Sequence, residues 1–180
     1  MQEEEEFIKL LLDSKTQNVA FQKLLSTYQK PLYNHIRNIV LNHDDTDDVL
    51  QNTFVKIFQN LKNFKGESKL FSWMYRIATN EAISFLNQKA KKSGISSQII
   101  QDKALDNLRA DVYFDGNEIQ IKLQQAIATL PEKQQLVFKM KYFEELKYEE
   151  ISEILGTSVG ALKASYHHAV KKIESFLTTD

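Results

Sequence analysis

A chain of 180 residues with 42% hydrophobic content holds one ordinary domain or two small ones and is too apolar to be disordered. Its 0 Cys exclude a disulfide framework and any thiolate metal site, which fits a cytoplasmic protein. The net charge of −1 selects no partner, but it averages over blocks of opposite sign. Residues 61–92 set Lys62, Lys65, Lys69, Arg76, Lys89, Lys91 and Lys92 against Glu67 and Glu81, a net +5. Residues 42–60 set Asp44, Asp45, Asp47 and Asp48 against Lys56, a net −3, and residues 93–118 also carry −3. Such blocks suit separate surfaces with separate partners. With 5 Gly and 2 Pro there are few turn residues, so an all-α fold is expected rather than a sheet. The opening MQEEEEF lacks the basic start and apolar run of a signal peptide. No apolar stretch reaches 18 residues, so no membrane insertion is expected.

Apolar residues recur at helical spacing over 7–12, 21–41, 49–61 and 70–86, which predicts amphipathic helices. Lys65-Gly66-Glu67-Ser68 interrupts them as a short loop. Periodicity fades from about Lys91 to Asn117, where KKSGISSQ reads as a flexible linker with a weak helix near 104–108. Helical spacing returns at Ile119, and Pro131 stands where a new helix can start. The expected plan is two small helical domains, 1–92 and 118–180, joined by a linker at 93–117.

Within the first domain, the carboxylates of DDTDDVLQNTFVKIF open a helix. Asp44 or Asp45 can cap it, and Asp47 and Asp48 complement its dipole. Leu50, Phe54, Ile57 and Leu61 form its inner stripe. Asp48, Gln51, Asn52, Val55 and Gln59 form the outer one, a mixture that fits contact with a basic protein partner better than a purely solvated face. In the next helix Leu70, Met74, Ile77, Ala78 and Phe85 point inward. Ser72, Arg76, Thr79, Asn80, Ile83 and Asn87 point outward, with Trp73 beside them. Basic residues interleaved with aromatics suit unstacked bases. Phe71 and Tyr75 are more economically read as core.

The stretch KYEEISEILGTSVGALKASYHHAVKKIESFL has the layout of a helix-turn-helix. Ile151 and Leu155 mark one face of the first helix. Gly156 makes the turn, and Thr157 or Ser158 caps the second helix. Leu162, Tyr166, Ala169 and Ile173 form its packing stripe. Gly160, Lys163, Ala164, His167 and Lys171 occupy the opposite face, which is narrow enough at its start to enter a major groove. Lys163 suits guanine acceptors, Ala164 a thymine methyl, and Lys171 and Lys172 phosphates. His167 and His168 are adjacent on a helix and point about 100° apart, so no metal site is expected there.

Taken in order, DDVLQNTFVKIF, FKGES, FSWMYRIATNEAISFL, LPEKQQLVF and YEEISEILGTSVGALKASYHHAVKKI resemble the ECF (extracytoplasmic-function) sigma factors of the sigma-70 family, which hold regions 2 and 4. The likeness covers roughly residues 20–92 and 119–177. It implies a protein that binds core RNA polymerase through the β′ clamp helices and the β flap, directs it to promoter DNA and catalyses no reaction itself. It implies polymerase contacts at Asp48, Gln51, Asn52, Val55 and Phe58. Recognition and melting of the −10 element would fall to Lys65, Gly66, Glu67, Ser68, Trp73, Arg76 and Asn80. Duplex reading of the −35 element would fall to Ser158, Gly160, Lys163, Ala164, His167, Lys171 and Lys172. Ser165, His168 and Val170 stand where many members carry arginine, so a different −35 preference is expected. The resemblance also implies an anti-sigma partner, and no cofactor, metal or catalytic residue. The alternative is a helix-turn-helix regulator acting without polymerase. It would leave the outer stripe at 48–59 without a role. A metal-dependent hydrolase using the Asp cluster lacks recognisable ligand spacing.

Overall fold

The computed structural model of the protein describes residues 2–108, 111 and 116–178. Among them every regular element is helical. The portions of the expected linker at 109–110 and 112–115 lie outside the described residues.

The first four helices are α1 (Gln2–Leu12), α2 (Gln17–Val40), α3 (His43–Asn60) and α4 (Leu70–Ser93). They bury the apolar stripes that the spacing predicts. Leu24, Leu32, Ile36 and Ile39 come from α2, Leu50, Phe54 and Ile57 from α3, and Leu70, Met74 and Ala78 from α4. A single 3-10 turn, Leu61–Asn63, follows α3 and buries Leu61. The α2–α3 joint is tight. Leu41 takes a left-handed conformation at φ 65° and donates its N–H to the Arg37 carbonyl. A Leu there carries strain, and burial of its side chain among Leu105 and Leu108 offsets it. This turn leaves Asn42 extended, and its side chain accepts from the Asp45 N–H at 2.9 Å. Asn42 is therefore the cap of α3, and Asp44 and Asp45 sit in its first turn instead of capping it.

α4 runs farther than the periodicity suggests. Ala90 remains buried, and Gly94 closes the helix at φ 66°. Lys89, Lys91 and Lys92 thus belong to the helix. Ile77 and Phe85 are only half-buried, whereas Ser72 and Thr79, expected on the outer stripe, are buried. Their burial follows from neighbours that a helical wheel does not show. Thr79 meets His35 of α2 at 2.8 Å, and α8 lies across α4.

The expected linker holds a helix, α5 (Ser97–Asp106), earlier in the chain than 104–108. The Ser96 hydroxyl caps it, accepting from the Ile99 N–H at 3.3 Å. Ile100 and Leu105 are buried. The later helices are α6 (Glu118–Ala128), α7 (Glu132–Tyr142), α8 (Tyr148–Leu155) and α9 (Val159–Thr178). Asn117 and Gln120 form a capping box on α6, and Pro131 occupies the N-cap of α7. Gly156 at φ 64° terminates α8, and the Ser158 hydroxyl accepts from the Ala161 N–H at 3.4 Å. Ile154, not Leu155, is buried with Ile151 on α8.

The two helical groups share a core. Ile151, Ile154 and Leu162 join the cluster that contains Met74 and Ile36. α7 sits between the groups and is buried from Gln135 through Met140. Leu136, Val137 and Met140 face the larger cluster, and Phe138 faces a second one with Ile127, Ala169 and Ile173.

Candidate polymerase and promoter interfaces

The acidic cluster divides once its partners are placed. Asp45 pairs with Lys89 of α4. Asp47 lies 3.6 Å from His43, one turn earlier. Asp48 is exposed and has no ion-pair partner among the described residues. Gln51, Asn52 and Val55 are exposed with it, in line along α3. Phe58 completes the stripe, 39% exposed and packed edge-on against Phe21 at 4.9 Å. An exposed Val and Phe in line with an acid and two amides make a face that gains by losing water to a partner. Lys56 is held to Glu81 at the stripe's flank, so its charge does not cross the apolar end.

On α4, Trp73 is half-buried with its ring 5.1 Å from Phe64, and Asn80 is exposed. The preceding loop is open to solvent at Lys65, Gly66 and Glu67, with Ser68 half-buried. Gly66 sits at φ 71°, a conformation that side chains other than Gly rarely adopt. Arg76 is exposed by area but not free. Its guanidinium donates to the Glu153 carbonyl on α8, from Nε at 3.1 Å and from the second amino nitrogen. Lys69 lies 3.5 Å from Glu150 of the same helix. The Glu150 carboxylate also accepts from the Lys147 N–H at 3.0 Å. Glu153 buries its Oε2 without a hydrogen-bond partner among the described residues. The acidic side of α8 therefore lies on the basic side of α4.

On α9 the face opposite Leu162, Ala169 and Ile173 is open. Ser158, Gly160, Lys163, Ala164, His167, Lys171 and Lys172 are all exposed. A Cβ on Gly160 would meet nothing within 4 Å, so packing does not require the glycine. Lys163 rests its ammonium 5.7 Å above the Tyr148 ring. His167 and His168 hold their rings 6.0 Å apart in solvent, and no metal-ligating group forms among the described residues.

Three residues of consequence escape sequence reasoning. His35 is 1% exposed, and its ring joins the two helical groups. Nδ1 meets both carboxylate oxygens of Glu144 at 3.0 Å, and Nε2 meets the Thr79 hydroxyl at 2.8 Å. That hydroxyl donates to the Tyr75 carbonyl at 2.7 Å, so it can only accept from the ring. Burial and the nearby Glu144 push the Tyr75 phenol well above its ordinary pKa. Lys139 is buried on α7, and desolvation lowers its pKa to about 8. Glu4 reaches α4 from α1. The sequence signal for Lys139 was a charge within the apolar run LVFKM, and for His35 a polar residue at helical spacing with Leu32, Ile36 and Ile39.

Known proteins share this arrangement. The sigma-70 region 2 profile matches residues 24–92, and the sigma-70, region 4 profile matches residues 120–173. The ECF RNA polymerase sigma factor SigW of Bacillus subtilis (strain 168) is 28% identical over 157 residues, covering 82% of this chain and 83% of that protein. The RNA polymerase sigma factor SigZ of the same organism is 30% identical over 156 residues, covering 87% and 86%. The chain belongs to the sigma-70 family, as an ECF sigma factor with regions 2 and 4. As such, the sigma factor binds core RNA polymerase and directs initiation at promoters with −10 and −35 elements. The solved structure of CnrH in complex with the cytosolic domain of CnrY shares its fold, with a TM-score of 0.72 and 17% identity over 98% of each chain. No helix among the described residues is long and apolar enough to cross a membrane.

Proposed function

We propose that the sigma factor divides its work among three helix faces. The α3 stripe Asp48, Gln51, Asn52, Val55 and Phe58 docks on the β′ clamp helices of core polymerase. The loop at 64–68 and the α4 residues Trp73, Arg76 and Asn80 open and read the −10 element. The exposed face of α9 reads the −35 element as duplex. Residues 1–92 and 118–180 act as the two working units, and 93–117, with α5, sets their reach. The protein carries out no chemistry of its own and works in the cytoplasm with polymerase.

One observation carries this reading. The faces on α3 and α9 are exposed on helices whose other sides are buried, the α4 face is partly covered by α8, and the three differ in chemistry as three different partners require. α3 offers an acid, amides and apolar groups, α4 an aromatic and cationic surface, and α9 small residues followed by lysines. Flipping a base out of duplex costs a few kcal/mol, which a selective pocket beside Trp73 and Arg76 returns. A regulator acting without polymerase would have no use for the exposed Val55 and Phe58 beside Asp48. The sigma factor RpoE of Bartonella quintana is solved in complex with the anti-sigma factor NepR, which supports an anti-sigma partner for this chain too.

Co-purification with core polymerase tests the central claim. Wild type should bind tightly, and Asp48→Arg combined with Gln51→Ala should lose at least about ten-fold in affinity, the worth of one or two interface anchors. Equal binding by the double variant would remove α3 from the interface. Mapping transcript starts after overexpression then supplies both promoter elements.

A further inference from the structure

The start of α4 is closed from outside its own segment. A helix leaves its first N–H groups without internal partners, and a side chain just before the helix ordinarily accepts from one of them. Lys69, at the N-cap, makes no such bond. The Leu70 N–H donates instead to Glu4 Oε1 at 2.9 Å, a carboxylate 66 residues earlier in the chain. Glu4 is half-buried, while Glu3, Glu5 and Glu6 beside it are exposed. The helix that carries it is anchored. Leu11 is buried, and Phe7 and Ile8 pack on the same core as Leu70. A carboxylate here also meets the positive end of the α4 dipole.

We propose that Glu4 is a positioning residue for −10 recognition. By closing the N-terminus of α4 at Leu70 it fixes the first turn of the reading helix, and with it the end of the loop at 65–69. Trp73 and Arg76 follow within about two turns of the capped group. An uncapped first turn frays, and the loop before it loses its fixed endpoint. A site that captures an extruded base depends on such a prearranged frame. The acidic N-terminal segment thus supports the reading of DNA without touching it.

This inference rests on the assignment of α4 to the −10 element, and the test separates the two. Holoenzyme is assembled from core polymerase and each variant. Three affinities are measured: for core, for a single-stranded −10 oligonucleotide from a mapped promoter, and for a −35 duplex. Glu4→Ala should weaken the −10 strand about five- to ten-fold, as loss of a cap implies, with the other two affinities unchanged. Glu4→Gln keeps the accepting oxygen and should stay within about two-fold of wild type. Glu5→Ala, on the exposed side of α1, should match wild type. Wild-type affinity in Glu4→Ala overturns the proposal, as does a Glu4→Gln variant as weak as Glu4→Ala. Parallel loss of core affinity would also overturn it, because Glu4 would then serve folding in general. If wild-type holoenzyme itself ignores the −10 strand, the assignment of α4 fails instead.

Discussion

On α9 the residues from Ser158 to Lys172 that suit DNA stand in solvent, whereas on α4 Arg76 is already bonded to the Glu153 carbonyl and Lys69 lies beside Glu150. The difference comes from position in the fold. α9 packs on one side only, through Leu162, Ala169 and Ile173. α4 is central and meets α2, α3, α5 and α8, so little of its circumference is left. The charges also fit. α8 has Glu149 and Glu150 in its first turn, and α4 lies in the segment with net +5. The basic helix proposed to meet a polyanion has an acidic neighbour in its own chain. On the proposed assignment, the −35 face stands open in this arrangement, while the −10 face would be reached only if α8 withdraws.

Withdrawal of α8 should respond most to α7, which lies between the two groups. Lys139 is 4% exposed there, beside a cavity of about 60 Å³ lined by Ile39, Ile83, Leu86, Asn87, Ser97, Gln98, Gln101, Glu132, Gln135 and Leu136. Its pKa falls from 10.5 in an open chain to about 8 in the fold. Below about pH 8 both states hold the proton, and the folded state bears the full cost of a buried charge. Between about 8 and 10.5 the folded state has released it and the unfolded state has not, so stability rises with pH. Lys139→Met removes the charge at similar size. It should raise stability at pH 7 by up to about 3 kcal/mol and abolish the rise between pH 8 and 10. Denaturant titrations at several pH values check this. A parallel rise in both proteins would show that Lys139 is not its source.

The next largest effect is expected at the buried link between α2 and the turn after α7. Glu144→Ala leaves His35 facing an empty carboxylate site, a loss of about 2 kcal/mol for a buried group deprived of its partner. The comparison predicts a divided outcome. Hydrogen exchange should increase along α8 and the outer face of α4, and the free protein should bind a −10 strand more readily. Affinity of α9 for a −35 duplex should not change. Equal effects on the two faces would mean that the link maintains the whole fold rather than the cover on α4.

Much of this was legible in the sequence because one helical period decides it. On α3 every residue of the inner stripe is buried and Asp48, Gln51, Asn52 and Val55 are exposed, because α3 packs on one side only. The same wheel misplaced Ser72 and Thr79 on α4, since periodicity reports one buried side and α4 has more than one. It also chose Leu155 over Ile154 on α8, where a short helix at the joint between two groups turns its apolar arc toward both. The cap on α3 went to Asn42 because the left-handed Leu41 moved the helix start, and nothing in the DDTDD run signals that. Glu4 and His35 act through partners 66 and 109 residues away, a separation that no local pattern encodes.

The smallest effect is also the sharpest probe of the open face. Lys163 gives up its place above the Tyr148 ring when it enters a groove, worth about 0.5–1 kcal/mol at an exposed site. A bidentate contact to guanine is worth about 1–3 kcal/mol, and a single ammonium falls at the low end of that range, so Lys163→Ala should weaken the −35 duplex about ten-fold or less and leave the −10 strand unaffected. The pattern across sequences carries more than the size. If Lys163 reads a base, the loss appears on the preferred −35 sequence and shrinks on duplexes changed at that position. If it holds a phosphate, the loss is uniform and the salt dependence falls by about one unit of slope. Lys171→Ala provides the phosphate reference from the same helix, nearer its C-terminal end. Because Ser165, His168 and Val170 bring no guanidinium to this face, the discrimination that Lys163 supplies has few substitutes. A base-dependent loss at Lys163 beside a uniform one at Lys171 would mark the N-terminal half of α9 as the part that reads and its later half as the part that holds.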